Sequence, residues 1–267
     1  MTTPSTSMQA PTAAIPAPAD YTRRAALALL AGAALTCLCL LVDEPVARAA
    51  LRLQDGGDLR LGGDVRRTLQ FLQQFGDLAS SLIAGACVLL LDPAKRTRVL
   101  DWIVAALATS ALVQVAKMAF GRPRPRVVFD PARSASGFES VPVVSFTPPW
   151  STFDLVRPGA DGPGLVERHA WEFWGGISSD LWSMPSSHTS AAMVLAVALH
   201  AMYPRLGVLV WTLAVIVGLS RVIFGAHFPS DVIAGATLGY AAATLAMHGR
   251  WGERAASRVL PRGPRAA

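Results

Sequence analysis

The sequence predicts an all-α protein, a polytopic membrane helical bundle of about six transmembrane helices with a long extracytoplasmic loop between the third and the fourth. Composition points there first: 52% of the 267 residues are hydrophobic and 16% are charged, where a soluble domain carries about 25% charged residues. The apolar residues fall into separated runs of spanning length, and arginines collect at the ends of those runs. Mean hydropathy is +0.40, as expected of helices that face lipid.

Residues 1–20 are rich in Pro, Ala, Thr and Ser and read as a disordered tail, because such a composition buries no core. Arg23 and Arg24 precede the first run, Ala25 to Val42, whose roughly 18 residues cover most of a hydrocarbon layer of about 30 Å. A cleaved leader is the rival reading, since Ala47-Arg48-Ala49 offers small residues to a peptidase, but the run exceeds the roughly 7–15 residues of a signal core. Residues 43–75 mix acidic, arginine and apolar positions, and Val65 to Phe75 fit an amphipathic helix at the membrane surface.

The second run, Leu78 to Leu91, extends backwards through Phe71 and Leu72 and ends at Asp92-Pro93 before Lys95, Arg96 and Arg98. Val99 to Phe120 is the third. Polar, Pro/Gly-rich residues 121–184 form the long loop, whose Trp150, Trp171, Trp174 and Trp182 suit the headgroup level. Thr189–Tyr203, Leu206–Phe224 and Val232–Met247 supply the fourth, fifth and sixth segments. The bundle thus occupies 21–249, followed by a basic cytoplasmic tail over 250–267.

A net charge of +6 and a pI near 9.9 raise nucleic acid as a partner, and the absence of a basic face with interleaved aromatics excludes it. The arginines report topology instead. With six alternating spans, Arg23, Arg24, Lys95, Arg96, Arg98, Arg205, Arg250, Arg254, Arg258, Arg262 and Arg265 share one side, which is therefore cytoplasmic, as are both termini. High alanine and arginine content gives a bacterial inner membrane, with the opposite face in the periplasm. The three cysteines, Cys37, Cys39 and Cys87, lack the spacing of a metal site and read as packing residues. Asp101 reads as an interfacial residue facing water, and His169, His200 and His248 as loop or helix-end residues.

The polar residues that interrupt the runs converge on the outer face in three clusters. Lys117 to Pro125 read Lys-Met-Ala-Phe-Gly-Arg-Pro-Arg-Pro; snorkelling anchors explain a lysine there, but not a dense Arg-Pro-Arg-Pro on the side that should be poor in positive charge. Pro185-Ser186-Ser187-His188 opens the fourth segment. Prolines and serines there are ordinary capping chemistry, yet a helix N-terminus also suits a phosphate. In the third cluster Arg221 lies deep in an apolar segment, at about 2.5–3.5 kcal/mol of insertion cost unless it is compensated. His227 and Asp231 are four apart, so on a helix the carboxylate holds the imidazole in one tautomer.

In this order the clusters resemble the signature of the type 2 phosphatidic acid phosphatase superfamily, which also includes the vanadium haloperoxidases. That signature is a lysine, six residues, Arg-Pro; then Pro-Ser-Gly-His; then Ser-Arg, five residues, His, three residues, Asp. Here it falls on Lys117, Arg124 and Pro125; on Pro185, Ser186, Ser187 and His188; and on Ser220, Arg221, His227 and Asp231. Ser187 departs from the family's glycine; it still supplies a backbone N–H, and its side chain can narrow the pocket. The resemblance implies a lipid phosphate phosphatase that needs no metal or other cofactor. His227 attacks phosphorus, Asp231 orients it, and His188 protonates the leaving group. Lys117, Arg124, Ser186, Ser187 and Arg221 hold the phosphoryl oxygens.

Arg122 is an extra cation that could touch a second phosphate, a headgroup or the lipid surface. Family members act on phosphatidic acid, phosphatidylglycerol phosphate, undecaprenyl pyrophosphate and lipid A, so the implied partners are a lipid phosphate substrate and the surrounding membrane lipids. A transporter or anion-binding protein is disfavoured because its polar groups should lie near the midplane. Haloperoxidase chemistry is disfavoured because that branch is soluble.

Overall fold

A computed structural model describes residues 18–54, 61–129, 146–159 and 162–259. Among these the helices are α1 (Pro18–Leu40), α2 (Asp43–Arg52), α3 (Gly63–Leu72), α4 (Leu78–Leu91), α5 (Arg96–Phe120), the single turn α6 (Pro125–Val128), α7 (Ser187–Met202), α8 (Gly207–Ile223), α9 (Pro229–Gly249) and α10 (Trp251–Val259). Four stretches are long and apolar enough to cross a membrane: Asp20–Leu40, Pro93–Val128, Pro204–Ile223 and Pro229–Gly249. Gly63–Gly76 with Leu78–Leu91 makes a fifth, bent by 60°.

All six expected segments are helical, but five at most have spanning length. The fourth, α7, has 16 residues, about 24 Å at 1.5 Å per residue, short of the hydrocarbon layer. Its burial explains the difference. α7 packs against α5, α8 and α9, and Ala192, Val194, Leu195, Ala196, Val197 and Ala198 are buried, so it serves as the core of the bundle and shows little surface to lipid.

Close approach of α9 to α7 depends on small residues, as in other helix pairs without a water-driven attraction. A Cβ on Gly235 would collide with the Ser186 carbonyl oxygen, and one on Gly239 with that of Ser190. Backbone cannot yield as a flexible side chain can. Gly235→Ala is therefore expected to push the start of α7 away from α9 and cost upwards of about 1–3 kcal/mol. Thermal unfolding in detergent checks this, and an unchanged midpoint would refute it.

Several expectations need correction. α1 begins at Pro18, inside the stretch read as a tail, while residues 1–17 lie outside the described residues. The stretch 43–75 holds two helices, α2 and α3, separated by residues of which 55–60 are not described. Cys37 and Cys87 are exposed on helix surfaces and do not pack in a core. Asp101 is fully buried: its carboxylate accepts from Arg98 Nη1 at 2.6 Å and from the Glu253 backbone N–H at 3.1 Å. It thereby caps α10, the helix that forms the described part of the expected basic tail.

The long loop is also more structured than its composition suggested. Strands β1 (Thr152–Gly159) and β2 (Gly162–His169) pair antiparallel, with Gly159 opposite Gly162. Val127, Phe153 of β1, Ala170, Ile177 and Leu181 form a small separate core. Trp182 packs on that core and donates from Nε1 to the Ala170 carbonyl at 2.9 Å, so it is a loop staple. Trp150, Trp171 and Trp174 remain exposed. His169, His200 and His248 lie at a strand end, near the end of α7 and in the last turn of α9.

Candidate active site

The three sequence clusters meet at one end of the bundle, where α5 and α8 end and α7 and α9 begin. Gly121 makes the first of them possible. It ends α5 in the left-handed region at φ 51°, its N–H bonded to the Lys117 carbonyl at 2.9 Å, and a Cβ there would meet Thr147 O at 2.6 Å. Glycine takes this conformation without steric cost, so α5 stops three residues after Lys117 and the chain turns at once to Arg122. The loop then fixes the Arg-Pro-Arg backbone: Ser183 N–H donates to the Arg122 carbonyl, and Arg124 N–H to that of Asp180, both at 2.8 Å.

His227 stands in the turn between α8 and α9. The N–H groups of Ala226 and His227 both donate to the Arg221 carbonyl, at 3.1 and 3.2 Å, which ties the histidine to the arginine six residues earlier. Its Nδ1 is 3.7 Å from Asp231 Oδ2 and 3.5 Å from Ser183 Oγ. Nδ1 thus faces the carboxylate, and with the proton on Nδ1 the lone pair of the neutral ring lies on Nε2. Asp231 is held in turn: Oδ2 accepts from Ser183 Oγ at 2.5 Å and from the Phe228 N–H at 2.8 Å, while Oδ1 accepts from Arg122 Nη1 at 2.6 Å. The 3.7 Å gap exceeds a hydrogen bond, as catalytic contacts often do without substrate.

Arg122 does not meet the expectation of a headgroup or lipid contact. It is fully buried, bonded through Nη1 to Ser230 Oγ at 2.7 Å and to Asp231, and through Nη2 to Asp43 Oδ2 at 2.7 Å, with its guanidinium carbon 4.0 Å from the centre of the Phe228 ring. Asp43, also buried, accepts from the Ser230 N–H at 3.0 Å and from its hydroxyl. Sequence reasoning missed Asp43, Ser183 and Ser230. Only Asp43 left a signal, a carboxylate at the very end of an apolar run, where charge is costly. A cut near Ala50 would remove it from this network.

Unlike Arg122, Lys117 and Arg221 form no ion pair among the described residues, and Arg124 has only a shared one. Lys117, on the last turn of α5, is buried and has no ion pair to a carboxylate among the described residues. Arg221 donates to the Gln73 side chain at 3.1 Å, and its Nε has no partner among the described residues. Arg124 is 3.6 Å from Asp180, which Arg126 holds more tightly at 2.6 Å. All three cations lie within electrostatic range of His188, on the first turn of α7. Ser186 caps that helix, its buried hydroxyl oxygen 3.0 Å from the Thr189 hydroxyl that donates to it, and Ser187 follows as the first helical residue.

Such an arrangement can bind an anion with up to three charges of compensation, attack it with a neutral imidazole and deliver a proton from a second one. Among the described residues no three His, Cys, Asp or Glu side chains are grouped as metal ligands.

Burial pushes His227 down to about 3, Asp231 opposing the shift and Arg124 and Arg221 adding to it. The folded state therefore holds it neutral, while in the unfolded chain it titrates near 6.5. Between about pH 6.5 and 3 the unfolded state binds the extra proton, so stability is complete above about 6.5 and declines as pH falls through that window. Thermal unfolding across this range should show the decline, and His227→Gln should flatten it. Equal slopes in both proteins would refute the assignment.

The model of the PAP2 superfamily matches residues 98–255. Over 57 residues the chain is 40% identical to a lipid A 1-phosphatase of Rhizobium etli and to one of Rhizobium johnstonii, a stretch covering 21% of this chain and 25% and 23% of those proteins. The match thus spans about a quarter of the length of the curated relatives. Among solved structures, LpxE of Aquifex aeolicus aligns with a TM-score of 0.42 and 16% identity over 70% of this chain and 87% of its own. A transmembrane PAP2-type phosphatidylglycerolphosphate phosphatase of Bacillus subtilis aligns with a TM-score of 0.43 and 17% identity over 91% and 97%.

Proposed function

The chain belongs to the PAP2 superfamily, and on that premise we propose that it is an integral membrane phosphatase that hydrolyses a lipid phosphate, a monoester or a pyrophosphate, through a phosphohistidine. The observation that carries the reading is the pairing of a buried His227–Asp231 couple with Lys117 and Arg221, which have no ion pair among the described residues, and Arg124, whose one carboxylate partner, Asp180, is held more tightly by Arg126. A cation in a spanning helix without an anion is costly, and a phosphate dianion removes that cost.

In the first step His227 Nε2 gives its lone pair to phosphorus, the bond from phosphorus to the leaving oxygen breaks, and His188 supplies the proton that oxygen takes. Asp231 stabilises the positive charge that the phosphorylated imidazole acquires. Water then attacks phosphorus, the P–N bond breaks, and His188 takes the proton back. Lys117, Arg124, Arg221, the Ser186 hydroxyl and the Ser187 N–H hold the equatorial oxygens.

A lipid substrate is supported by the groove between α1 and α9, about 470 Å³ and lined by Leu29, Cys37, Phe120, Met184, Pro185 and Leu238. Met184 and Pro185 lead directly into Ser186, so an acyl chain in this groove delivers its phosphate to the cations. The partial likeness to lipid A 1-phosphatases adds lipid A to the candidate substrates. Phosphate release by the purified protein, measured with chelator present, tests the reading across lipid A, phosphatidic acid, phosphatidylglycerol phosphate and undecaprenyl pyrophosphate. No release from any of them would defeat it.

The arginine distribution supports a bacterial inner-membrane location with both termini cytoplasmic and the site in the periplasm. Single cysteines placed in the 121–184 loop, after replacement of the native three, are expected to react with an impermeant reagent in intact spheroplasts. Labelling only after lysis would reverse the orientation.

A further inference from the structure

Arg221 belongs to a second site besides the phosphate site. It lines a cavity of about 270 Å³ together with Arg66 and Gln70 of α3, Gln73 of the turn that follows, Arg126 of α6, and Ala226, the residue before His227. His188 does not line this cavity. On the phosphatase reading above, on which this inference rests, the leaving group departs on the His188 side, so the occupant of the cavity is a different group.

The wall has the chemistry of an anion binder. Arg66, Gln70 and Gln73 recur four and three residues apart, so they share one face of α3 and its continuation. That face meets Arg221, whose Nη1 donates to Gln73 Oε1 at 3.1 Å. The Arg126 N–H donates to the Gly225 carbonyl at 2.9 Å, which fixes α6 against the turn before His227. Among the described residues no carboxylate lines the cavity. Asp64 pairs with Arg67 rather than with Arg66, and Asp180, which holds Arg126, stands outside the lining. Guanidiniums that converge without an anion between them repel one another, and their forked donors match phosphate oxygens. The three also step outward, since Arg221 and Arg126 are half-buried and Arg66 is exposed.

From this row of guanidiniums that begins on a catalytic cation, we propose that the cavity receives the inorganic phosphate formed by hydrolysis, with Arg221 keeping hold of the ion while Lys117 and Arg124 let it go. A dianion that left three cations directly for water would lose all of their hydrogen bonds together. Transfer onto Arg126, Arg66 and the amides of Gln70 and Gln73 replaces them in turn, and Arg66 delivers the ion to solvent. Product release limits turnover in many enzymes, and this route shortens the stay of phosphate beside His227. A phosphate that stays can react backwards: His227 Nε2 attacks phosphorus, the P–N bond forms again, and one oxygen leaves as water with a proton from His188.

The test counts those reversals. During turnover of a lipid phosphate in water enriched in oxygen-18, one hydrolysis puts one labelled oxygen into phosphate, and each return to His227 before release adds another. In the double variant Arg66→Gln with Gln70→Leu the share of multiply labelled phosphate should rise about threefold or more over wild type, because the ion leaves more slowly. That share is a ratio within one protein, so a loss of folded molecules cancels from it. Equilibrium dialysis against radiolabelled inorganic phosphate supplies the second readout: the wild-type protein should bind a second ion per chain that the double variant loses and that Lys117→Met, which weakens the catalytic site instead, retains. An unchanged share of multiple label overturns the release role, and so does a wild-type protein that binds a single ion; in both cases the phosphatase reading stands. Unchanged labelling with a loss of kcat/KM confined to lipids that carry a second phosphate would assign the cavity to the substrate and overturn the release role as well. No phosphate release from any lipid by the wild-type protein would bring down the phosphatase reading, and this inference with it.

Discussion

His227→Ala is expected to lower kcat for phosphate release by roughly 10⁴-fold or more, because it removes the covalent route rather than one contact along it. The binding groups survive the change, so substrate affinity should fall far less than turnover. His188→Ala should behave differently. General acid catalysis is worth about 10²–10⁴-fold for a poor leaving group and little for one that leaves unaided. On a lipid phosphate the His188 variant should show that loss, and on p-nitrophenyl phosphate it should show much less in the first step.

Hydrolysis of the intermediate still requires a base, and His188 is the group that would serve, so this variant should accumulate an acid-labile phosphohistidine when quenched during turnover. Wild-type release from His227→Ala would remove the phosphohistidine from the mechanism. An equal loss by His188→Ala on both substrates would remove His188 from the role of acid and leave His227 untouched.

The sequence was informative where the chemistry needs particular residues at particular spacings. Lys117, Arg124, His188, Arg221, His227 and Asp231 all reach the same end of the bundle because each sits at a helix end, and helix ends are marked by Gly121, Pro125, Pro185 and Pro229. The helices themselves were legible from their apolar runs. What the runs could not tell was which helix is central: the hydropathy of α7 resembles that of its neighbours, and only the small faces of Gly235 and Gly239 place it against α9.

The loop hairpin was missed although Gly159-Ala160-Asp161-Gly162 is a reasonable turn signal, because long polar stretches between spans are read as unstructured by default. Arg122 was misjudged for a different reason. Arg122 turns into the protein to Asp43 while Arg124, two residues on, lies beside Asp180, and no sequence feature names the buried partner, Asp43.

That partner makes the second large prediction. Arg122 sits between Asp43 and Asp231, all three fully buried, so the cluster carries one negative charge in excess while His227 is neutral. Arg122→Leu leaves two buried carboxylates without a cation, and breaking a buried pair in this way costs about 3–5 kcal/mol. Relief comes from protonating one of them, and a proton on Asp231 would end its hold on His227, so turnover should fall in molecules that remain folded.

Asp43→Asn removes the excess charge instead. The Arg122–Asp231 pair stays intact, the amide oxygen that replaces the carboxylate can still accept from Ser230, and the loss of stability should be below about 1.5 kcal/mol. The decisive comparison is the double variant Arg122→Leu with Asp43→Asn. It leaves one unpaired carboxylate rather than two, so its loss should fall short of the sum of the two single losses by at least about 1 kcal/mol. Unfolding in detergent measures all four corners of the cycle. Additive losses would mean that Arg122 and Asp43 act independently, and Arg122→Leu with wild-type stability and turnover would mean that the buried chain of charges does not position His227 at all.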